Sequence, residues 1–166
     1  NRWSFAWTPV LFDRTGVRVQ AAALRQATLT PEEQRAILLP HDRLDGYINF
    51  AYRALKSDRD GRSTERRLDA VESVAWLLEV IFTLAARVRP YNKYLPWELR
   101  EHPLADWPGD LLPSLLDRTI DGDPAAIRET FHRVEIACRA FDAHHGVDEL
   151  RQMIDSWGSE LALFRE

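Results

Sequence analysis

From Thr30 onward, apolar positions recur at helical spacing, and the spacing predicts a series of helices joined by short connections. Thr30-Pro31-Glu32-Glu33 has the composition of a helix start: a hydroxyl N-cap, proline at the first position and two acids near the positive dipole end. The pattern pauses at Pro40 and resumes at about Asp42, where Leu44, Ile48, Ala51 and Leu55 form a stripe that Asp60-Gly61 ends. Ser63 or Thr64 can cap the next helix, which is expected to run to about Val88. Apolar residues surround nearly all of Val71 to Ala86, so this helix is expected at the buried centre of a bundle. Shorter helices are predicted over Trp97 to Glu101, Gly109 to Ile120, Pro124 to about His144 behind an Asp121-Gly122-Asp123 cap, and Val147 to about Phe164. Short connections of this kind suit an up-and-down arrangement.

Upstream of Thr30 the pattern changes. Phe5 to Val19 is aromatic-rich and partly alternating around Asp13-Arg14-Thr15-Gly16, a tight-turn signal in which Gly16 can take a positive φ. The expectation is a β-hairpin or a lone edge pair. Two strands alone are marginal in water, and the chain opens at Asn1 without a methionine. Residues 1–29 are therefore expected to be a β remnant and linker, the end of a missing N-terminal α/β domain, and residues 30–166 the helical bundle. The expected fold class is mainly α: an up-and-down helical bundle preceded by a short β-hairpin or strand remnant.

Composition narrows the function classes. With 45% hydrophobic and 29% charged residues the chain has the make-up of a globular protein. A formal charge of −4 argues against general nucleic-acid binding while leaving room for a local basic pocket. Cys138 is the only cysteine, so neither a disulfide framework nor a cysteine-based zinc site is available, and that usage suits the cytoplasm. Its stripe with Phe131, Val134 and Phe141 marks it as a small buried hydrophobe. His132, His144 and His145 lack metal-ligand spacing, and His41 and His102 flank prolines as surface residues would. Serine-hydrolase and P-loop signatures are absent, as is a signal peptide. The longest apolar run, Val74 to Ala86, is interrupted by Glu79 and too short to span a bilayer, so no membrane association is expected.

The chemistry concentrates in Arg87 to His102, where Pro90 breaks the apolar helix and Arg87, Arg89, Tyr91, Asn92, Lys93, Tyr94 and Trp97 follow closely. Cations, an amide and aromatics crowded at a helix exit suit a planar, anionic ligand such as a nucleotide. The plainer alternative is a proline-broken loop whose aromatics plug the core. On the resumed helix, Asp45, Asn49, Tyr52 and Lys56 share a face with Arg53 beside them. Arg53 and Lys56 are expected opposite Glu72 or Glu79, since half-buried charges need partners. In the functional reading, Arg53, Lys56, Arg87, Arg89 and Lys93 come to one end of the bundle as a triphosphate clamp, with Tyr91, Tyr94 and Trp97 stacking on a base or lining a substrate pocket.

Tyr52-Arg53-Ala54-Leu55-Lys56, Arg87-Val88-Arg89-Pro90-Tyr91-Asn92-Lys93-Tyr94-Leu95-Pro96-Trp97-Glu98 and His102-Pro103-Leu104 together resemble the C-terminal helical domain of bacterial nucleotidyltransferase-like proteins. These belong to the DNA-polymerase-β-like superfamily, which includes the aminoglycoside adenylyltransferases. Val10 to Gly16 looks like the closing strand and turn of that superfamily's catalytic domain, so the resemblance covers about residues 8 to 157. It implies that the helical domain closes over a nucleoside triphosphate beside a small-molecule acceptor, while an N-terminal catalytic domain of the same protein holds Mg2+. Lys56 and Lys93 would contact phosphate, with Tyr91 and Asn92 near nucleotide or acceptor. The superfamily's Gly-Ser turn with its Asp-x-Asp metal pair is missing here. Gly158-Ser159 has no acidic pair after it, and Asp58-Arg59-Asp60 and Asp121-Gly122-Asp123 sit where turns and caps are expected. The chain alone is thus expected to be catalytically silent.

Two other readings stand beside this one. The first is a structural or partner-binding bundle in which the cluster pairs with Glu72, Glu79 and Glu98. The second is a HEPN-like ribonuclease using Arg139 and His144, or Arg128 and His132, at the cleft of a homodimer.

Overall fold

A computed structural model describes residues 2–166. Its helices are α1 (Arg18–Ala27), α2 (Pro31–Leu38), α3 (Arg43–Arg59), α4 (Ser63–Leu84), α5 (Leu95–Glu101), α6 (Leu111–Ile120), α7 (Pro124–His145), α8 (Glu149–Asp155) and α9 (Ala162–Arg165). Single 3-10 turns occupy Arg2–Phe5, Asn92–Tyr94 and Gly158–Leu161. The chain is mainly helical, as its periodicity predicts. No helix among the described residues is long and apolar enough to cross a membrane.

The antiparallel hairpin of α3 and α4 is the frame on which the other helices lie. Gly61, at φ 71°, supplies the left-handed turn between them. Gly46 permits their close approach, because a Cβ there would stand 2.6 Å from the Trp76 ring. α7 packs against α3, α4 and α6 and closes the core, with Leu44, Ile48, Leu77, Phe82, Ile127 and Phe131 fully buried. Tyr47 is buried among them and donates its hydroxyl hydrogen bond to Thr130 Oγ1 at 3.1 Å. Cys138 is buried in the predicted stripe, and burial pushes its thiol pKa up, away from reactivity.

Helix boundaries follow the local signals where those signals are strong. Thr30 and Glu33 form a reciprocal capping box at the start of α2, and Asp123 accepts from Ala125 N at 2.9 Å to cap α7. α4 ends at Leu84, four residues before the expected Val88. Its exit is set by tertiary contacts: the buried Gln34 side chain donates to Thr83 O at 2.6 Å and Leu84 O at 3.2 Å, and Ala86 turns left-handed at φ 55°. The expected last helix is divided at Gly158 into α8, a 3-10 turn and α9.

Two expectations are corrected. The described residues contain no β-hairpin; the lone antiparallel bridge joins Thr28 to Arg87. Residues 8–13 have no regular secondary structure and pair with no strand, and the Asp13 turn leads into α1 instead. The Asp13 carboxylate accepts from Thr15 N at 2.7 Å and Val19 N at 2.9 Å, which satisfies an otherwise open N–H in the first turn of α1. The strong helix formers Ala21 to Leu24 then outweigh the alternating pattern before them. The second correction concerns α4. It is not enclosed all round over Val71 to Ala86, because Val71 is 49% exposed and Ala75 is exposed too.

Candidate functional site

The segment between α4 and α5 is held from both sides. Leu29 N donates to Ala86 O at 2.9 Å, and Arg87 lies beside Thr28 in the lone bridge. Below it, Glu98 of α5 is a buried carboxylate, 1% exposed. It accepts from Trp3 Nε1 at 3.0 Å, from Trp7 Nε1 at 2.6 Å and from the Arg87 guanidinium, whose other terminal nitrogen donates to His102 O at 2.8 Å. His102 is half-buried and stacked on Trp7 at a centroid separation of 3.3 Å, which corrects its expected surface placement. Trp3, Trp7, Arg87 and Glu98 thus form one hydrogen-bonded node that ties the N-terminal segment to the loop.

Arg89 is similarly committed. Nη1 donates to Glu79 at 3.2 Å and Nη2 to Asn92 Oδ1 at 2.6 Å. Both arginines of the motif are therefore neutralised by carboxylates, although the buried Arg89 Nε has no hydrogen-bond partner among the described residues.

Tyr91, Lys93 and Tyr94 are different. With Trp3 and Ser4 they line an open concavity of about 650 Å³. The Lys93 ammonium sits 4.7 Å from the Tyr94 ring centroid and makes no ion pair among the described residues. Tyr94 stacks on Trp3 at 5.0 Å and Tyr91 meets the same indole edge-on at 6.3 Å, while both phenol rings remain substantially exposed. A cation and exposed π faces held by a buried tryptophan can receive a planar anion.

The predicted residues of α3 lie elsewhere. Arg53 pairs with Asp69 at 2.9 Å, not with Glu72 or Glu79, and its guanidinium stands over the Phe50 ring. Lys56 lies over Tyr52, whose ring meets Trp157, and Trp157 donates its Nε1 hydrogen bond to Asp45 at 2.9 Å. This polar stripe is a seat for the C-terminal segment. The Arg53–Asp69 pair sets the hairpin register, and from Asp69 to the end of α4 is 15 residues, or about 22 Å of helix. The five predicted cations consequently do not gather at one end: Arg53 and Lys56 occupy one end of the hairpin, and Arg87, Arg89 and Lys93 the other.

The arginines of the ribonuclease reading are engaged as well. Arg139 pairs with the buried Glu135 at 2.9 Å and lies about 140° around α7 from His144, by the 100° step of a helix. Arg128 donates to Leu163 O at 2.9 Å. Among the described residues no group of three or more His, Cys, Asp or Glu is arranged to hold a metal ion. Asp58 pairs with Arg66, and Asp60 with Arg59 and Arg62, in keeping with the turn role expected of them.

Trp3 and Ser4 are the members of the concavity that sequence reasoning missed. Their only signal was the spacing of Trp3 and Trp7, four residues apart, near a segment already read as strand. No family model, curated protein or solved structure matches the chain.

Proposed function

We propose that this chain is the nucleotide-binding helical domain of a nucleotidyltransferase-like protein, with the Tyr91, Lys93 and Tyr94 ledge receiving base and phosphate and another domain supplying the Mg2+-dependent chemistry. The observation that carries the reading is the Lys93 ammonium, in no ion pair among the described residues, beside exposed aromatic faces in a solvent-open concavity. Those three residues belong to the run by which the chain resembles that family. The reading is narrower than a five-cation clamp, because Arg53, Arg87 and Arg89 already have carboxylate partners. The small-molecule acceptor would meet the nucleotide at the domain boundary.

A trinitrophenyl-ATP titration tests the proposal. Wild-type protein is expected to enhance the probe's fluorescence and to release it to unlabelled ATP. Lys93→Ala should weaken binding by about 1.5 kcal/mol, roughly tenfold, as expected for a hydrogen bond to a charged group. Tyr94→Ala should remove about 1 kcal/mol of stacking, while Lys56→Ala leaves affinity unchanged. Equal losses at Lys56 and Lys93 would restore the larger clamp, and an unchanged affinity in Lys93→Ala would end the ledge.

A scaffold or partner-binding bundle is the second reading. It is favoured by the pairing of those three arginines and by the covering of the α3 stripe by Trp157. Its signature would be a protein that binds no nucleotide at millimolar concentration.

A further inference from the structure

The loop after α4 faces two concavities with different residues. Tyr91, Lys93 and Tyr94 line the ledge, whereas Arg89 and Asn92 line a separate groove of about 550 Å³ between α4, α5 and α6. Its volume falls within the usual range for small-molecule pockets. The walls are apolar: Val71, Ala75 and Leu78 from α4, Leu95 and Leu99 from α5, and Leu116 from α6. The exposed side of α4, which its sequence pattern predicted to be enclosed, thus opens onto this groove.

Charge decides what kind of molecule fits. Arg89 contributes wall but little net charge, since Glu79 neutralises it at 3.2 Å. Glu72 of α4 and Asp117 of α6 also line the groove, and neither side chain makes a hydrogen bond or ion pair among the described residues. One neutralised cation and two unanswered carboxylates leave the site negative. An acid would enter against that field, whereas a cation with an apolar body would answer both features at once.

We infer that the α4–α5–α6 groove binds a small amphiphilic amine, its hydrocarbon or aromatic body against Leu78, Leu95 and Leu116 and its ammonium toward Glu72 and Asp117. The site is separate from the nucleotide ledge and does not depend on it.

Three probes of matched shape test this: 1-naphthylmethylamine, 1-naphthalenemethanol and 1-naphthoate, titrated into 15N-labelled full chain and followed by amide shifts. The amine is expected to bind tightest, the alcohol next and the acid weakest, with shifts confined to the groove-lining segments at residues 71–78, 89, 92, 95–99 and 113–120. Glu72→Gln and Asp117→Asn should each reduce amine affinity about two- to fivefold, as removal of an exposed charge partner does, and leave the alcohol unaffected. Ala75→Trp alters an exposed position of α4 and should fill the groove, abolishing binding of all three. Acid binding equal to or tighter than amine binding would overturn the charge argument. Shifts centred elsewhere, or amine binding undiminished in Ala75→Trp, would overturn the site.

Discussion

The two ends of the α3–α4 hairpin carry similar residue types and put them to different use. At the α3 end, Arg53 pairs with Asp69, Lys56 lies over the Tyr52 ring, and Tyr52 packs against Trp157, so this stripe helps seat the C-terminal segment. At the α4 exit, Arg87 and Arg89 are consumed by Glu98 and Glu79, and this rigid arrangement leaves Lys93, Tyr91 and Tyr94 projecting from the loop. Whether a cation is available to a ligand is decided by the acids and aromatics that the fold brings to it. Residue type alone does not report that.

The comparison breaks most severely at Glu98. Glu98→Ala leaves Arg87 half-buried without its carboxylate and removes the acceptor shared by the Trp3 and Trp7 indoles, so stability should fall by about 3–5 kcal/mol. Urea unfolding measures this directly. Glu98→Gln keeps an acceptor for the indoles and should lose less. A loss below 1 kcal/mol for the alanine variant would mean that the node does not hold the loop.

At the other end, Trp157→Ala removes a half-buried indole from Tyr52 and Asp45 and should reduce stability by about 2 kcal/mol from lost apolar burial. The acylation rate of Lys56, which lies over Tyr52, should then change, while Lys93 reactivity stays unchanged. Equal changes at both lysines would erase the distinction between the two ends.

A smaller effect separates two ion pairs by pH. Burial, the dominant influence, raises the Asp69 carboxyl above its ordinary 3.8 despite Arg53. A raised folded value favours the protonated form in the native state. Its contribution is present below pH 3.8 and is lost as pH rises through the folded value. Asp69→Asn should therefore not destabilise the protein at neutral pH. Glu135 behaves oppositely, because hydrogen bonds from Arg165, with Arg139 also contributing, lower its carboxyl below the ordinary 4.5. Its stabilisation is present above pH 4.5 and is lost as pH falls through the lowered folded value, so Glu135→Gln should destabilise at pH 7 and matter less in acid. Unfolding midpoints of both variants from pH 3 to pH 7, roughly the span of carboxylate titration, check the opposite signs.

Much of the helical frame was legible because its signals are local. Thr30 with Glu33 caps α2, Asp123 caps α7, and the Leu44, Ile48, Ala51 and Leu55 stripe is buried. What was not legible depended on distant partners. Gln34, fifty residues upstream, helps terminate α4 at Leu84. Trp3 and Trp7 reach Glu98 across more than ninety residues, and Asp69 claims Arg53 ahead of Glu72 and Glu79. The sequence predicts a hairpin at the N-terminal turn because Gly16 fits either use. The deciding interaction is the Asp13 carboxylate accepting the Val19 amide six residues on.

The central claim is that only the α4-exit end of the hairpin is a nucleotide surface. Titrating 15N-labelled protein with ATP and following amide shifts measures it most directly. The account predicts saturable shifts at residues 3, 4 and 91–94, with residues 52–57 unmoved. Shifts centred on residues 52–57, or none at either end, would contradict it.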